Sequence, residues 1–154
     1  QKHKNGKVNM NTVNELKKVL DSKRPLDPVT TKSLQDDFML RYNQASNAIE
    51  GNGRTGRLIM NLELMNAGYS IAIIEPTDRE NYYNALANAD KGDYQAITRL
   101  LKDSVQRSIE RELQVIYPQW QKDYPKLAYE VAKKKEIAEK KPEISLNKEQ
   151  ERTL

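Results

Sequence analysis

The chain has 154 residues, of which 31% are charged and 37% hydrophobic, and this predicts one small domain and excludes a second complete one. Cysteine is absent and His3 is the single histidine, which excludes a disulfide framework and a thiolate or imidazole metal centre. The formal net charge is +4, yet basic residues exceed acidic ones only in segments 1–24 and 122–154. This distribution argues against a nucleic-acid partner, which usually meets a basic folded face.

The longest stretch without Asp, Glu, Lys or Arg runs from Leu64 to Ile74, far short of the ~20 apolar residues that cross a bilayer. The sequence opens without the charged and then apolar pattern of a secretion leader. We therefore predict a cytoplasmic protein that does not span a membrane.

Helical signals dominate the first third of the chain. Residues 1–11 are polar, which predicts a flexible N-terminus. A helix is expected from Thr12, a suitable N-cap, to Leu20, and the prolines in segment 24–28 end it. A second helix starts at Thr30 or Thr31 and runs toward Ile49. Its apolar residues recur at three and four positions: Leu34, Phe38, Tyr42, Ala45 and Ile49.

The segment Arg54–Ala67 predicts a third helix, closed by Gly68 because glycine most readily adopts the left-handed C-terminal cap. Its apolar residues cover more than one stripe, which predicts a helix buried at the centre of the core. These residues are Leu58, Ile59, Met60, Leu62, Leu64 and Met65. Leu62→Ala is therefore predicted to cost ~2–5 kcal/mol of stability. Residues 69–74 are predicted to form a short extended connector.

Two further helices follow. Thr77 and Glu80 match a capping box that opens a helix ending near Gly92, and Asp93 caps the next one, which ends before Pro118. The latter carries apolar residues at helical period: Ile97, Leu100, Leu101, Val105, Ile109 and Leu113.

The C-terminal part is predicted to comprise one helix over 117–141 and a disordered tail over 142–154. No segment has the alternating pattern of a regular strand. The fold class is therefore predicted to be all-α.

The segment Glu50–Arg57 places a glycine-rich turn at the start of the third helix. Free backbone N–H groups and the positive end of the helix dipole favour an anion there, and glycines let it approach closely. Arg54 and Arg57 are three residues apart, so their guanidinium groups can converge on phosphate oxygens. Glu50 can ligate Mg²⁺ that also binds those phosphates.

A simpler interpretation stays open, in which the glycines only cap the helix and the arginines are solvated. The segment is not a Walker loop, because no Gly-Lys-Ser/Thr follows. It is not a dinucleotide-binding fingerprint either, because no strand precedes it.

The string Gly51-Asn52-Gly53-Arg54-Thr55-Gly56-Arg57-Leu58 resembles the second half of the Fic family signature, His-x-Phe-x-Asp/Glu-Gly-Asn-Gly-Arg-x-x-Arg. Downstream, Ala72-Ile73-Ile74, Tyr82-Tyr83 and Gly92-Asp93-Tyr94 resemble the later helices of that family in order and spacing. The resemblance spans roughly residues 50–115. It implies a Fic-like helical bundle whose core is truncated, with a helical C-terminal extension.

Members of this family typically transfer AMP from ATP to a hydroxyl group of another protein. The resemblance therefore implies ATP, Mg²⁺ and a target protein as ligands and partners. It assigns the α- and β-phosphates to Gly51, Asn52, Gly53 and Arg54, the γ-phosphate to Arg57 and the Mg²⁺ ion to Glu50. The family histidine, which is the general base, falls on Ser46, so the chain has no catalytic base and is predicted to be inactive.

The string Ser46-Asn47-Ala48-Ile49-Glu50-Gly51-Asn52 also resembles the Ser/Thr-x-x-x-Glu-Gly/Asn regulatory helix found before many Fic cores. This second resemblance implies regulatory roles for Ser46 and Glu50. Because both motifs share Glu50, the chain reads as though the intervening part of the core had been removed. A deletion, a degenerate paralogue and two segments joined across a gap all fit this pattern.

The resulting domain prediction is an N-terminal region with the regulatory-like motif over 12–52 and the second half of a Fic core over 51–116. The leading function is that of a Fic-family adenylyltransferase without its base. A helical regulatory partner of another Fic chain is the alternative, and a phosphotransferase on the same scaffold is a more distant one. Homo-oligomerisation stays open.

Overall fold

The computed structural model describes residues 9–47 and 53–137. Its helices, in chain order, are α1 (Asn11–Asp21), α2 (Pro28–Asn47), α3 (Gly53–Asn66), α4 (Arg79–Asp90), α5 (Gln95–Ile116), α6 (Trp120–Asp123) and α7 (125–137), with a 3₁₀ turn at Pro76–Asp78. The described residues contain no strand, which confirms the all-α prediction. The predictions for residues 1–8, 48–52 and 138–154 lie outside the described residues.

The chain divides into two compact units, residues 1–118 and residues 119–154. In the second unit, α6 and α7 are separated at Tyr124, and α7 begins at Pro125. The single helix predicted over 117–141 is therefore interrupted, because proline lacks the N–H that would continue the α6 hydrogen bonds. Within this unit, Trp120, Leu127 and Val131 are buried.

In the first unit, α1 packs against α5, and α4 also packs against α5. Val13, Leu16 and Leu20 of α1 are fully buried, as are Ile109 and Leu113 of α5. This contact confirms the helical periods predicted for both segments and forms the best-buried part of the core.

The helix starts differ slightly from the predictions. The α1 N-cap is Met10 rather than Thr12, whose side chain is buried instead. α2 starts at Pro28 because Asp27 caps it: the Asp27 carboxylate accepts bonds from the Thr30 N–H at 2.9 Å and the Thr30 hydroxyl at 2.6 Å. These bonds lower the pKa of Asp27, with the hydroxyl as the main cause. The start of α2 is thus set by the side chain that reaches its free N–H groups.

The end of α3 agrees with the prediction. Gly68 has a φ of +80°, and the Tyr69 N–H donates to the Leu64 carbonyl at 2.9 Å, which closes the helix in a left-handed cap. The connector after it is buried and belongs to no helix or strand. The Asn61 side-chain oxygen accepts the Ala72 N–H at 2.8 Å. The Asn61 amide also donates to the Ala72 carbonyl at 3.2 Å. One polar side chain of α3 therefore fixes the connector in place.

The starts of α4 and α5 differ by a residue or two from the predictions. α4 begins at Arg79, after the 3₁₀ turn, with Asp78 rather than Thr77 at its N-cap. α5 begins at Gln95, whose N–H donates to the Asp93 carboxylate at 3.1 Å, so Asp93 does assist the helix start. Gly92 precedes it with a φ of +89°.

The predicted central burial of α3 is wrong. Its buried residues are Arg57 and Asn61, both polar, whereas four large apolar side chains are about half exposed. Those four, here named the outer stripe, are Leu58, Ile59, Leu62 and Met65, with exposed fractions of 48–55%. The helix turns its polar side inward because Asn61 pairs with the connector. In the described parts of the chain, no helix covers the opposite side.

Candidate anion-binding site

The described part of the candidate site lies at the start of α3 and the end of α2. It comprises Gly53, Arg54, Arg57 and Ser46. Glu50, Gly51 and Asn52, which the sequence assigns to metal and phosphate binding, lie outside the described residues. Their predicted roles stay predictions.

Arg57 is the most unusual residue of the site. It is only 3% exposed, and its Nε, Nη1 and Nη2 atoms have no hydrogen-bond partner among the described residues. A buried cation without a partner costs several kcal/mol, because it loses hydration without gaining compensation. An anion that accepts two parallel hydrogen bonds would compensate a guanidinium in this position.

Gly53 creates the space in which the Arg57 guanidinium lies. A Cβ atom at position 53 would stand 2.7 Å from Nη1 of Arg57, closer than real Cβ contacts allow. The guanidinium therefore lies directly against the first residue of α3, where backbone N–H groups have no partner within the helix. A cation and the positive end of a helix meet at the same point, which is an arrangement suited to an anion.

Tyr82 of α4 supports the guanidinium from another side. The Arg57 Cζ atom is 5.8 Å from the centre of the Tyr82 ring, within the range of a cation–π contact. Tyr82 is buried with Ile74 and packs against α5 residues, whereas its neighbour Tyr83 is partly exposed. The ring orients the guanidinium but accepts no hydrogen bond from it. The Arg57 N–H groups therefore still lack an acceptor among the described residues.

The other two described residues occupy different surroundings. Arg54 is exposed, so the predicted convergence of Arg54 and Arg57 on one anion stays a prediction. Ser46 is buried near the end of α2. One turn earlier, the Tyr42 hydroxyl donates to the Arg54 carbonyl at 3.4 Å, which brings the end of α2 to the start of α3. Ser46 and the start of α3 are thus on neighbouring elements.

Arg41, a partly buried arginine, shows how a neighbouring carboxylate compensates such a charge. Arg41 has an Nη1 atom without a hydrogen bond, but that atom is 3.6 Å from the Asp37 carboxylate. Asp37 in turn accepts two bonds from Arg111, both of 2.9 Å, which join α2 to α5. The Arg111 bonds lower the pKa of Asp37, and burial is the main cause that lowers the pKa of Arg41. Arg41 is paired with a carboxylate, whereas no carboxylate of residues 9–47 or 53–137 pairs with Arg57.

No group of three or more His, Cys, Asp or Glu side chains that could hold a metal ion occurs within 9–47 and 53–137. The predicted Mg²⁺ ligand, Glu50, is not among those residues. Over the same part of the chain, no helix combines the length and apolar character needed to cross a membrane.

A cavity of about 840 Å³ lies near the other end of α3, between α2 and the start of the connector. None of the four described site residues lines it. Its buried carboxylate, Glu112, accepts the Ser70 hydroxyl at 2.7 Å, and Arg24 lies 3.9 Å from its other oxygen. Because these polar groups interact with one another, they give no indication that the cavity binds a polar ligand.

Sequence reasoning missed Asn61 as a residue of the site region, and it missed the contact that Tyr82 makes with Arg57. Asn61 follows Arg57 by one turn, so two polar residues on one side of an otherwise apolar helix were an available signal. Tyr82 gave no such signal, because its contact with Arg57 depends on how α4 packs.

Comparison with known proteins gives short but clear matches. The chain is 43% identical over 61 residues to "Protein adenylyltransferase Fic" of Aedes aegypti, which covers 40% of this chain and 12% of that protein. It is 42% identical over 62 residues to the protein of the same name from Drosophila grimshawi, covering 40% and 13%. The chain thus matches only about an eighth of the length of these relatives.

No family model matches the chain, and no solved structure does. The relatives carry the name that the glycine-arginine segment and its downstream strings led us to expect. Over two fifths of its length, this chain is therefore similar to proteins named protein adenylyltransferase Fic.

Proposed function

We propose that this chain retains the part of a Fic adenylyltransferase that binds the ATP phosphates, and that it does not carry out AMP transfer by itself. The observation that carries the proposal is the buried Arg57 guanidinium, which has no hydrogen-bond partner among the described residues. The relatives named as adenylyltransferases supply the identity of the anion, since such an enzyme uses ATP.

The residues present fit a triphosphate. Arg57 offers N–H donors that no described residue uses, and Gly53 leaves room beside them at the start of α3. Arg54 adds a second positive charge from the exposed side. Bound Mg²⁺ would neutralise part of the phosphate charge, and the Glu50 carboxylate is the residue proposed to hold it. In this chain, Glu50 cannot also act as a separate inhibitory residue, because only three residues separate it from Arg54.

AMP transfer needs a general base for the target hydroxyl, and Ser46 stands where the family has histidine. A serine hydroxyl has no suitable pKa near neutral pH, so the transfer step should lose the ~10²–10⁴-fold contribution of a base. Incubation of the chain with labelled ATP and Mg²⁺ is expected to give no protein labelling. Strong labelling that persists after His3 is replaced would contradict this part of the proposal.

ATP binding is tested by titration calorimetry of Mg-ATP into the parent chain and three variants. Arg57→Gln and Arg54→Ala are each expected to weaken binding by ~1.5–3 kcal/mol, the range for hydrogen bonds to charged groups. Ser46→Ala is the control and should bind like the parent, because a hydroxyl contributes no charge to phosphate binding. No binding at millimolar ATP, or equal losses in all three variants, would contradict the proposal.

The alternative of a helical partner for another Fic chain has one observation in its favour, the exposed outer stripe of α3. That role does not require ATP binding. The same titration therefore separates the two functions, since a chain that binds no ATP but forms a stable complex with a Fic core would support the partner role.

A further inference from the structure

The contact between Tyr82 and the Arg57 guanidinium joins two different helices, α4 and α3, so it is set by the fold and not by the local sequence. The Tyr82 ring is 6% exposed, and it packs with buried Ile74 and against partly buried apolar side chains of α5. A ring that is packed in this way keeps one orientation, because a close-packed interior leaves little room for other rotamers. Tyr82 therefore presents a fixed aromatic face to the guanidinium.

Arg41 provides a comparison, because it also lies over an aromatic ring. Its Cζ atom is 5.7 Å from the centre of the Phe38 ring, and its Nη1 atom is also 3.6 Å from the Asp37 carboxylate. Arg57 lies at nearly the same distance from its ring, 5.8 Å, but pairs with no carboxylate of residues 9–47 or 53–137. The negative face of a ring attracts a cation without taking up its N–H donors as a carboxylate does. Tyr82 thus stabilises the charge of Arg57 and leaves the donors available to a ligand.

We propose that Tyr82 is a positioning residue for phosphate binding: it holds the Arg57 guanidinium against Gly53 at the start of α3 and does not itself bind the phosphate. A guanidinium that is already oriented loses less side-chain entropy when a ligand binds, so the ring contributes to affinity through Arg57. The inference rests on the proposed function, because it requires that Arg57 binds a phosphate of ATP. Its consequence is that weakening the attraction between ring and cation should weaken ATP binding, even when the size of the ring is kept.

Fluorinated phenylalanines at position 82 of the full chain test this proposal. Fluorine withdraws electron density from the face of the ring, which weakens its attraction for a cation while its size changes little. Titration calorimetry with Mg-ATP should show that Tyr82→Phe binds like the parent, because the contact uses the ring and not the hydroxyl. The dissociation constant should then rise with the number of fluorine atoms, by about fivefold in total, which corresponds to a cation–π contact of ~1 kcal/mol. The same series at Phe38, which faces Arg41, is the matched control and should leave the constant unchanged.

Urea unfolding without ATP gives a second readout that does not depend on binding. Fluorination at position 82 should lower the urea midpoint more in the chain with Arg57 than in the Arg57→Met chain. The role of Tyr82 would be overturned by a loss of ATP binding in Tyr82→Phe, by ATP affinities that ignore the fluorine series, or by equal midpoint changes in the two chains. A parent chain that binds no Mg-ATP would contradict the proposed function instead, and the urea midpoints would still show whether the ring holds the guanidinium.

Discussion

The two sides of α3 are reversed relative to an ordinary surface helix. The side that faces the protein carries Arg57 and Asn61, whereas the side that faces solvent carries the outer stripe. In an ordinary surface helix the apolar side faces the core. The difference teaches that this helix is held in place by specific polar contacts and not by burial of its apolar residues.

The polar contacts on the inner side have different purposes. The Asn61 amide donates one hydrogen bond to Ala72 and accepts another from it. Arg57 contacts Tyr82 but has no acceptor for its donors among the described residues. We therefore propose that Asn61 contributes to stability and Arg57 to ligand binding. The variants below separate these roles and test the inversion.

The largest expected effect on stability comes from Asn61→Ala. It leaves the buried N–H and carbonyl of Ala72 without partners, and each such group costs ~1–3 kcal/mol, so a total of ~2–4 kcal/mol is expected. Leu62→Ala, one residue further along α3, should cost less than ~1 kcal/mol because Leu62 is 52% exposed. Urea unfolding of the two variants and the parent measures both values.

The small cost now expected for Leu62→Ala replaces the larger cost predicted from the sequence. If Leu62→Ala proved as costly as Asn61→Ala in the monomer, the apolar side of α3 would be the buried one and the inversion would be incorrect.

A pair of glycines tests the space beside Arg57. Gly53→Ala would push a Cβ atom into Nη1 of Arg57, so the guanidinium must move, and ATP affinity should fall about tenfold, or ~1.4 kcal/mol. At Gly56 no atom lies within 4 Å of an added Cβ, so Gly56→Ala should leave ATP binding unchanged. It should also stabilise α3 by ~0.5–1 kcal/mol, because alanine loses less entropy in a helix. Identical ATP affinities for the two variants would show that the guanidinium does not contact the ligand.

The smallest expected effect concerns the ion pair between Asp37 and Arg111. The Asp37–Arg111 pair is partly exposed, so Asp37→Asn should cost no more than ~1 kcal/mol at neutral pH. Because the pKa of Asp37 is lowered in the folded protein, the pair stabilises above the unfolded pKa and loses its contribution as pH falls through the folded value. The difference in unfolding free energy between parent and variant should therefore shrink from pH ~7 toward pH ~3. A difference that is independent of pH would rule out this ion pair as the cause.

Much of the helical order could be predicted from the sequence, because its signals are local. The Gly68 cap, the short connector and the apolar faces of α1 and α5 depend on residues close together in the chain or on a regular period. The inversion of α3 could not be predicted in this way. A periodic apolar stripe indicates that something covers it, but not whether this chain supplies the covering element.

The candidate site was predicted only in part for the same reason. A glycine-arginine string at a helix start indicates an anion, and Gly53 and Arg57 do lie together. Whether a guanidinium is buried, and whether a carboxylate compensates it as Asp37 does for Arg41, depends on packing between distant elements. The spacing of Arg54 and Arg57 therefore did not reveal that one is exposed and the other buried.

The central claim is that the buried Arg57 guanidinium, which has no hydrogen-bond partner among the described residues, is retained to bind a phosphate although its burial lowers stability. Urea unfolding of the parent and of Arg57→Met, each with and without Mg-ATP, tests it most directly, since methionine keeps the chain length and a contact with Tyr82. Without ATP the variant should be as stable as the parent or more stable by up to ~4 kcal/mol, because a buried charge is removed. With ATP only the parent should gain stability. A variant that is destabilised without ATP, or that gains as much from ATP as the parent, would contradict the account.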